Sequence, residues 1–332
     1  MPVWKYAARI SQLLLVVFTV GFSAAAVAQA DGKTQFPSRT IRIIVPSVAG
    51  SSPDIRARQI APKLSEAFGQ PVIVDNRPGA NGMIAARETA KAPADGHTLF
   101  LALINNAVGD LLTTETCCRL GQELIPVSRF SMTPLLAVVN PAVPARSFVE
   151  FLDLAKAKPE GLSYAMHGPG SVSQLVGEMV KVERGARLLE VPYKGVNSEI
   201  PDLQGGQLSA AFLVPQVVLA AIRSGKLRAL AVMGPERLPI LPEVPSVAEL
   251  GMPQLEATAW NGIFVPAGTP ATVVQALHRE LVKAYGAPDV REQLRNGGAY
   301  AAADTPEEFG AFIRAEKEKW GRVIREAGIK AQ

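Results

Sequence analysis

The sequence predicts an α/β protein of two doubly wound lobes with a ligand cleft between them. Three observations lead there. Short β-branched runs alternate with amphipathic helical stretches through most of the chain, the order that gives parallel sheets with helical crossovers. The alternation comes in two sets joined by long strands. In both sets, loops of small residues leave a strand and open a helix, which is where an open α/β sheet keeps its ligand crevice.

The first stretch sets the compartment. Lys5 and Arg9 precede the apolar run Leu13 to Val20, and small residues follow through Ala26-Val27-Ala28 and Ala28-Gln29-Ala30. This is the layout of a cleaved secretory signal peptide over residues 1–30, with the mature chain starting near Gln29 or Asp31. The apolar run is shorter than the ~20 residues that span a bilayer; an uncleaved anchor is the alternative. No cysteine follows to carry a lipid. Export points to the periplasm.

Beyond the signal, Ile41–Val45 reads as a buried strand, Asp54–Phe68 as a helix stopped by Gly69, Val72–Val74 as a strand and Met83–Ala92 as a helix. A turn at Ala94-Asp95-Gly96-His97 leads into the strand Thr98–Leu103. The second set has strands at Leu135–Val139, Leu162–Met166, Leu188–Val191, Leu208–Leu213 and Leu227–Val232. Helices lie near Phe148–Ala157, Ser173–Val182, Ser198–Gln204 and Gln216–Ser224. An irregular Pro-rich stretch, 235–253, precedes a strand at Trp260–Val265 and helices near Ala271–Tyr285 and Pro306–Ala327. Residues 31–130 with about 258–304 are expected to form lobe 1 and 131–257 lobe 2. The helix within 305–332 is left without a lobe.

Composition narrows the function. The whole chain holds 34 Lys and Arg against 30 Asp and Glu. Removing Lys5 and Arg9 leaves 32 against 30, a net of +2 with no basic block, so no nucleic-acid footprint is present. At 48% hydrophobic and 19% charged residues, the chain can build a core. Cys117 and Cys118 are adjacent, whereas most disulfides bring Cα atoms to ~5.5 Å. They read as two thiols, or as a strained vicinal disulfide in an oxidising compartment. With no His or Cys cluster around them, no metal site is expected.

Three loops carry the candidate chemistry. Val45-Pro46-Ser47-Val48-Ala49-Gly50-Ser51-Ser52-Pro53-Asp54 leaves a strand and opens a helix, with Ser52 as N-cap and Pro53 as the first helical residue. Its backbone N–H groups and the helix dipole suit a carboxylate; an ordinary capped turn is the alternative. Asn76-Arg77-Pro78-Gly79-Ala80-Asn81-Gly82 is the second loop, where glycines permit positive φ. The third, His167-Gly168-Pro169-Gly170-Ser171-Val172-Ser173, lies in the other lobe, with Ser171 as cap. Ser173 interrupts a Gly-x-Gly-x-x-Gly pattern, which disfavours a dinucleotide. His167 reads as a ligand contact or a structural histidine, and His278 as surface. Tyr193 offers a hydroxyl and a ring face, and Lys194 reads as solvated. There is no Gly-x-Ser-x-Gly elbow, His-Glu-x-x-His or Walker A loop, so neither an enzyme nor a cofactor is expected.

Further motifs join these in order: Phe36-Pro37-Ser38-Arg39, Val74 to Ala80, Val191-Pro192-Tyr193-Lys194-Gly195, Gly225 to Val232, Leu241 to Val247 and Pro266-Ala267-Gly268-Thr269-Pro270. Together they resemble the Bug-type solute receptors of tripartite tricarboxylate transporters, from about Phe36 to the C-terminus. The resemblance implies a type II periplasmic-binding-protein fold and a small carboxylic acid held between the loop after the first strand and loops of the second lobe. It also implies integral membrane permease subunits as partners; a monomer is expected. A ligand sensor signalling to a membrane protein is the alternative role, and a periplasmic enzyme on the same scaffold a further one. The expected ligand-binding set is Ser47, Val48, Ala49, Gly50, Ser51, Ser52, Asp54, Asn81, His167, Gly168, Gly170, Ser171, Ser173, Tyr193 and Leu213. The chain departs from the family pattern in several places. Ser47 stands where an aromatic is usual, Ala49-Gly50-Ser51 where Pro-Gly-Gly is, Asn81 for a glycine, Gln174 for a frequent histidine and Leu213 for a common aspartate. Residues Cys117 to Gln122 replace a segment with Tyr-Asp-Pro. Leu213 cannot accept from an ammonium group, so an acid without an α-amino group, a dicarboxylate or an aromatic acid, is favoured.

Overall fold

A computed structural model describes residues 36–112, 118–168 and 170–330. The signal segment and Cys117 lie outside the described residues, so neither the cleavage site nor the cysteine pairing is addressed by it. Among the described residues no helix is long and apolar enough to cross a membrane, and no group of three or more His, Cys, Asp or Glu is placed to hold a metal.

Lobe 1 opens with β1 (Ile41–Val45), α1 (Ser52–Phe68), β2 (Val72–Asn76), α2 (Met83–Ala90), β3 (Thr98–Leu103) and α3 (Ile104–Leu112). Ile41, Ile43, Ile44 and Val45 are wholly buried, as expected of a strand covered on both faces. β1 pairs in parallel with β2 and β3, Ile43 lying opposite Val74 and Leu99. β4 (Leu124–Val139) is one continuous strand. Lobe 2 continues with α4 (Phe148–Ala157), β5 (Leu162–Met166), α5 (Val172–Arg184), β6 (Leu188–Pro192), α6 (Val196–Gly205), β7 (Ala210–Leu213), α7 (Pro215–Arg223) and β8 (Arg228–Met233). The chain returns through β9 (Thr258–Pro266) and ends in α8 (Ala271–Gly286), α9 (Pro288–Asn296), β10 (Tyr300–Ala301) and α10 (Pro306–Glu326).

The two sheets repeat one plan. In the first, the order is β2-β1-β3-β9-β4, with β9 antiparallel to β3. In the second, β5 pairs in parallel with β6 and β7, and β7 runs antiparallel to β4. β4 belongs to both: its first half pairs with β9 from Leu124↔Pro266 to Pro134↔Thr258, its second half with β7 and β8. Parallel strands therefore point their carboxyl ends at one crevice from both sides, the position at which such sheets bind ligands.

The C-terminal helix ties the lobes together. Thr305 and Glu308 form a reciprocal capping box at its start, two orphan donors satisfied at once. Phe309 packs on Trp260 and Phe264 of β9, with ring centroids 5.8 Å and 5.0 Å apart. Farther along, Lys317 pairs with Asp110 of α3 at 2.7 Å and Arg322 with Glu183 of α5 at 2.6 Å. The helix thus contacts β9, α3 and α5.

Local expectations differ in a few places. Ser51, not Ser52, is the N-cap of α1; Ser52 and Pro53 sit inside the first turn. α3 and α9 were not anticipated, nor was the first half of β4. His278 is half-buried on α8 rather than a surface residue, with an unpaired buried Nδ1.

A Cβ on Gly262 of β9 would lie 2.2 Å from Phe309 of α10. Gly262→Ala is expected to cost about 1–3 kcal/mol by overpacking, read as a lower denaturation midpoint at unchanged slope in urea. An unchanged midpoint would contradict this packing.

Candidate ligand-binding cleft

A cleft of about 290 Å³ lies where the parallel strands of both lobes end. From lobe 1 it is lined by Ser52 and Pro53 of α1, Asn81, and Leu103, Ile104 and Asn105 at the β3–α3 junction. Lobe 2 supplies His167, Ser171, Val172 and Ser173, with Val196, Phe212, Leu213, Val214 and Gln216. Thr133 and Leu135 of β4 and Ala259, Trp260 and Asn261 of β9 form its floor. A larger groove of about 680 Å³ lies between the start of β4 and helices α8 and α10, away from the ends of the parallel strands.

Each wall is a helix start. Ser52 opens α1, Ile104 opens α3, Val172 opens α5, Val196 opens α6 and Gln216 sits in the first turn of α7. First-turn N–H groups lack intrahelical partners and carry the positive end of the helix dipole, so the helix starts bring partial positive charge to the cleft. Among the described lining residues no Asp, Glu, Lys or Arg is present. The polar side chains are hydroxyls, amides and the imidazole of His167. Gln216 of α7 donates from Nε2 to Ser52 Oγ of α1 at 2.7 Å, joining the lobes across the cleft.

The loops hold themselves in place. Gly79, Ala80, Asn81 and Gly82 all carry positive φ, of 121°, 47°, 50° and 88°. At Gly82 a Cβ would lie 2.3 Å from Asn106 Nδ2, so glycine is required by space as well as by φ. Asn106 in turn donates to the Asn81 carbonyl at 3.2 Å and accepts from Leu103 N at 2.8 Å, fixing Asn81 at the cleft. In lobe 2, Ser171 caps α5, accepting from Gln174 N at 3.4 Å. The His167 N–H reaches the hydroxyls of both Ser171 and Ser173 at 3.2 Å. Gln174 Oε1 accepts from Gly170 N at 2.7 Å. The His167 ring meets Glu199 of α6 through Nε2 and Oε2 at 2.6 Å.

Of the expected residues, the fold brings Ser52, Asn81, His167, Ser171, Ser173 and Leu213 to the cleft. Ser47, Val48, Ala49, Gly50, Ser51, Asp54, Gly168, Gly170 and Tyr193 are not among its lining. The reasons are specific. Asp54 turns back into its own loop, accepting from Gly50 N at 2.8 Å and from Arg58 Nε at 3.0 Å. Its carboxylate thereby takes the N–H that a ligand anion was expected to use. Val48 points to solvent at 61% exposure, and Ser47 presents its carbonyl to Asn76 Nδ2 at 3.0 Å. The Tyr193 hydroxyl donates to Asp202 at 2.9 Å; burial first and that carboxylate second push its phenol up to about 12. Gly168 and Gly170 serve as backbone, with φ of 94° and 75°. Lys194 is exposed. Leu213 lines the cleft and also packs with Leu136, Val218 and Val232 in the lobe 2 core. Sequence reasoning missed Asn105, Gln216, Thr133 and Asn261, neutral side chains in no motif. Their signal was positional: Asn105 and Gln216 lie in the first turn of a helix that follows a strand, and Thr133 and Asn261 in the crossing strands.

The family model described as tripartite tricarboxylate transporter family receptor matches residues 56–329. The chain belongs to this family. This family member is 36% identical over 319 residues to protein BugT of Bordetella pertussis, covering 96% of the chain and 98% of that protein. Two solved structures from Rhodopseudomonas palustris are similar to this family chain. Rpa4515 with adipate shares 31% identity at a TM-score of 0.77, covering 89% of this chain and 99% of that one. MatC with bound malate shares 29% at 0.75, covering 87% and 100%. With them the type II binding-protein fold of two lobes around a cleft holds for this chain, as the resemblance implied.

Burial alone would raise the Asp54 carboxyl, but Arg58, the Gly50 N–H and Asn76 outweigh it and hold it below the usual carboxylate range. A depressed carboxyl stabilises the fold fully above its unfolded value, and the contribution disappears as pH falls through the folded one. Asp54→Ala is therefore expected to lose about 1.5–3 kcal/mol near neutrality and progressively less in acid. Denaturation midpoints against pH measure it; a deficit that grows on acidification would contradict the assignment.

Proposed function

We propose that this chain is a periplasmic solute receptor that closes its lobes on a small carboxylic acid lacking an α-amino group, a dicarboxylate or an aromatic acid, and hands it to membrane permease subunits. The observation that carries the reading is the cleft's charge pattern: helix N-termini and neutral donors converge, and among the described lining residues no side chain is acidic. Carboxylate oxygens find donors at Ser52, Asn81, Asn105, Ser171, Ser173 and Gln216. A desolvated ammonium needs an acceptor of comparable strength, and the position where the family often has aspartate is Leu213, 4% exposed. Relatives crystallised with adipate and with malate support an acid of this size. Apolar lining from Leu103, Ile104, Leu135 and Phe212 suits a carbon chain or ring between polar ends.

In this reading the lobes turn about β4 and β9 near Arg129 and Trp260, as hinged binding proteins do. The Gln216–Ser52 hydrogen bond closes the mouth over the ligand. Family membership and the absence of nucleophile motifs support a receptor rather than an enzyme.

Calorimetry with adipate, succinate, malate, benzoate, aspartate and glutamate tests the proposal. Heats are expected for one or more of the first four, with aspartate and glutamate at least tenfold weaker, about 1.4 kcal/mol. Tight binding of the amino acids alone would overturn it.

A further inference from the structure

His167 and Glu199 form a pair that the loop architecture does not require. Glu199 is wholly buried, and its Oε2 lies 2.6 Å from His167 Nε2. Its Oε1 is buried with no hydrogen-bond partner. A buried carboxylate is tolerated when paired, and the imidazole is the one side chain among the described residues that hydrogen-bonds it. An ionised carboxylate only accepts, so in that form Glu199 places a proton on Nε2 and orients the ring. The ring belongs to the cleft wall, with its side chain 26% exposed. Nδ1 has no protein partner among the described residues and is not one of the buried unpaired atoms. With Nε2 turned to Glu199 and the ring in the cleft wall, Nδ1 is the ring nitrogen turned away from that carboxylate.

The ring therefore has a carboxylate on one side and the ligand space on the other. With Nδ1 unprotonated, it offers a lone pair to the ligand, which repels a carboxylate and accepts from a hydroxyl. With Nδ1 protonated, it donates on both sides and lies between two anions, each favouring its charge. Among the described lining residues the other polar side chains are neutral amides and hydroxyls, so the imidazole is the titratable one that can answer a second negative charge there.

We propose that His167, held by Glu199, is the subsite for the second carboxylate of a dianionic ligand, and that such a ligand binds with uptake of one proton at Nδ1. This rests on the carboxylate reading of the cleft. The proton comes from the buffer acid, which is left as its conjugate base, and no covalent bond to carbon changes. Charged and titratable neighbours on the packed elements are few. α6 brings Glu199 and Asp202, the β6 end brings Tyr193, whose hydroxyl is committed to Asp202, and Lys194 is exposed. The facing wall brings Ser52, Asn81, Asn105 and Asn261, none of which titrates. Glu199 is a positioning residue: it acts through the ring.

Calorimetry in two buffers of different ionisation enthalpy, at one near-neutral pH, counts the protons. Adipate, succinate and malate are the dianionic probes; hexanoate and benzoate carry one charge. For a bound dianion the enthalpy is expected to differ between buffers in proportion to an uptake approaching one proton, and its affinity to fall by up to about tenfold per pH unit as pH rises. A monoanion should show neither. H167Q/E199Q replaces the titrating ring without stranding the buried carboxylate. It is expected to abolish the uptake and to weaken the dianion about tenfold or more. Dianion binding with equal enthalpies in both buffers, or uptake that survives in the double variant, would overturn this proposal and leave the cleft reading intact. Binding of monoanions alone would overturn it in the same way. No binding of any acid would take down the cleft reading, and this proposal with it.

Discussion

β4 and β9 run antiparallel from Leu124↔Pro266 to Pro134↔Thr258, with register shifts at Pro126/Ser128 and Arg129/Ser131. The pairing is the one feature on which every other part of the cleft depends. It carries the chain from one lobe to the other and back, so the two parallel strand sets meet end to end. The shifts bend the ladder and increase its twist just before the strands reach Thr133, Trp260 and Asn261 at the cleft floor. Asn261 Nδ2 donates to Ser131 Oγ at 2.9 Å, pinning the crossing at the second shift. Trp260 is held from behind by Phe309 and by Glu316, to which its indole N–H donates at 3.2 Å. α10 thus backs the cleft floor at Trp260.

Charge in the cleft follows from the same layout. Because βα junctions face each other, first-turn N–H groups converge from both lobes, and their partial charges sum where an anion would sit. A basic side chain would add attraction but would also need a buried partner when empty. Hydroxyls and amides avoid that cost by bonding one another: Ser171 Oγ lies 3.2 Å from Ser173 Oγ, and Gln216 bonds Ser52. Asp54 shows the limit of the scheme. It lies at a helix start, where a carboxylate is favoured, and fills that place with its own side chain.

Much of this was legible in the sequence, for reasons particular to each element. β3 and α4 were readable to the residue. β3 is an apolar run after a Gly turn, and α4 has Ser147 accepting from Glu150 N at its start. Ser171 as a cap followed from the same chemistry. α3 was not legible because it follows β3 with no Gly, Pro or capping residue between them; Asn106, which fixes the junction by accepting from Leu103 N, carries no local signature. The first half of β4 was hidden by Pro126 and Pro134. At the site, the loops that line the cleft were found, but not which of their residues face it. Whether Asp54 turns inward or Tyr193 is committed to Asp202 depends on neighbours distant in sequence, and helix-forming patterns do not report them. Gln216 and Asn105 were missed because neutral amides match no motif; only the fold brings them to the cleft.

The central claim is that a carboxylate sits among converging helix starts with no lysine or arginine side chain touching it. A crystal structure of the protein grown with adipate tests this most directly. The account predicts carboxylate oxygens within hydrogen-bond distance of N–H and hydroxyl groups at the first turns of α1 and α5, with Leu213 against the carbon chain. Adipate held by lysine or arginine side chains, or lodged in the groove beside α8 and α10, would contradict it.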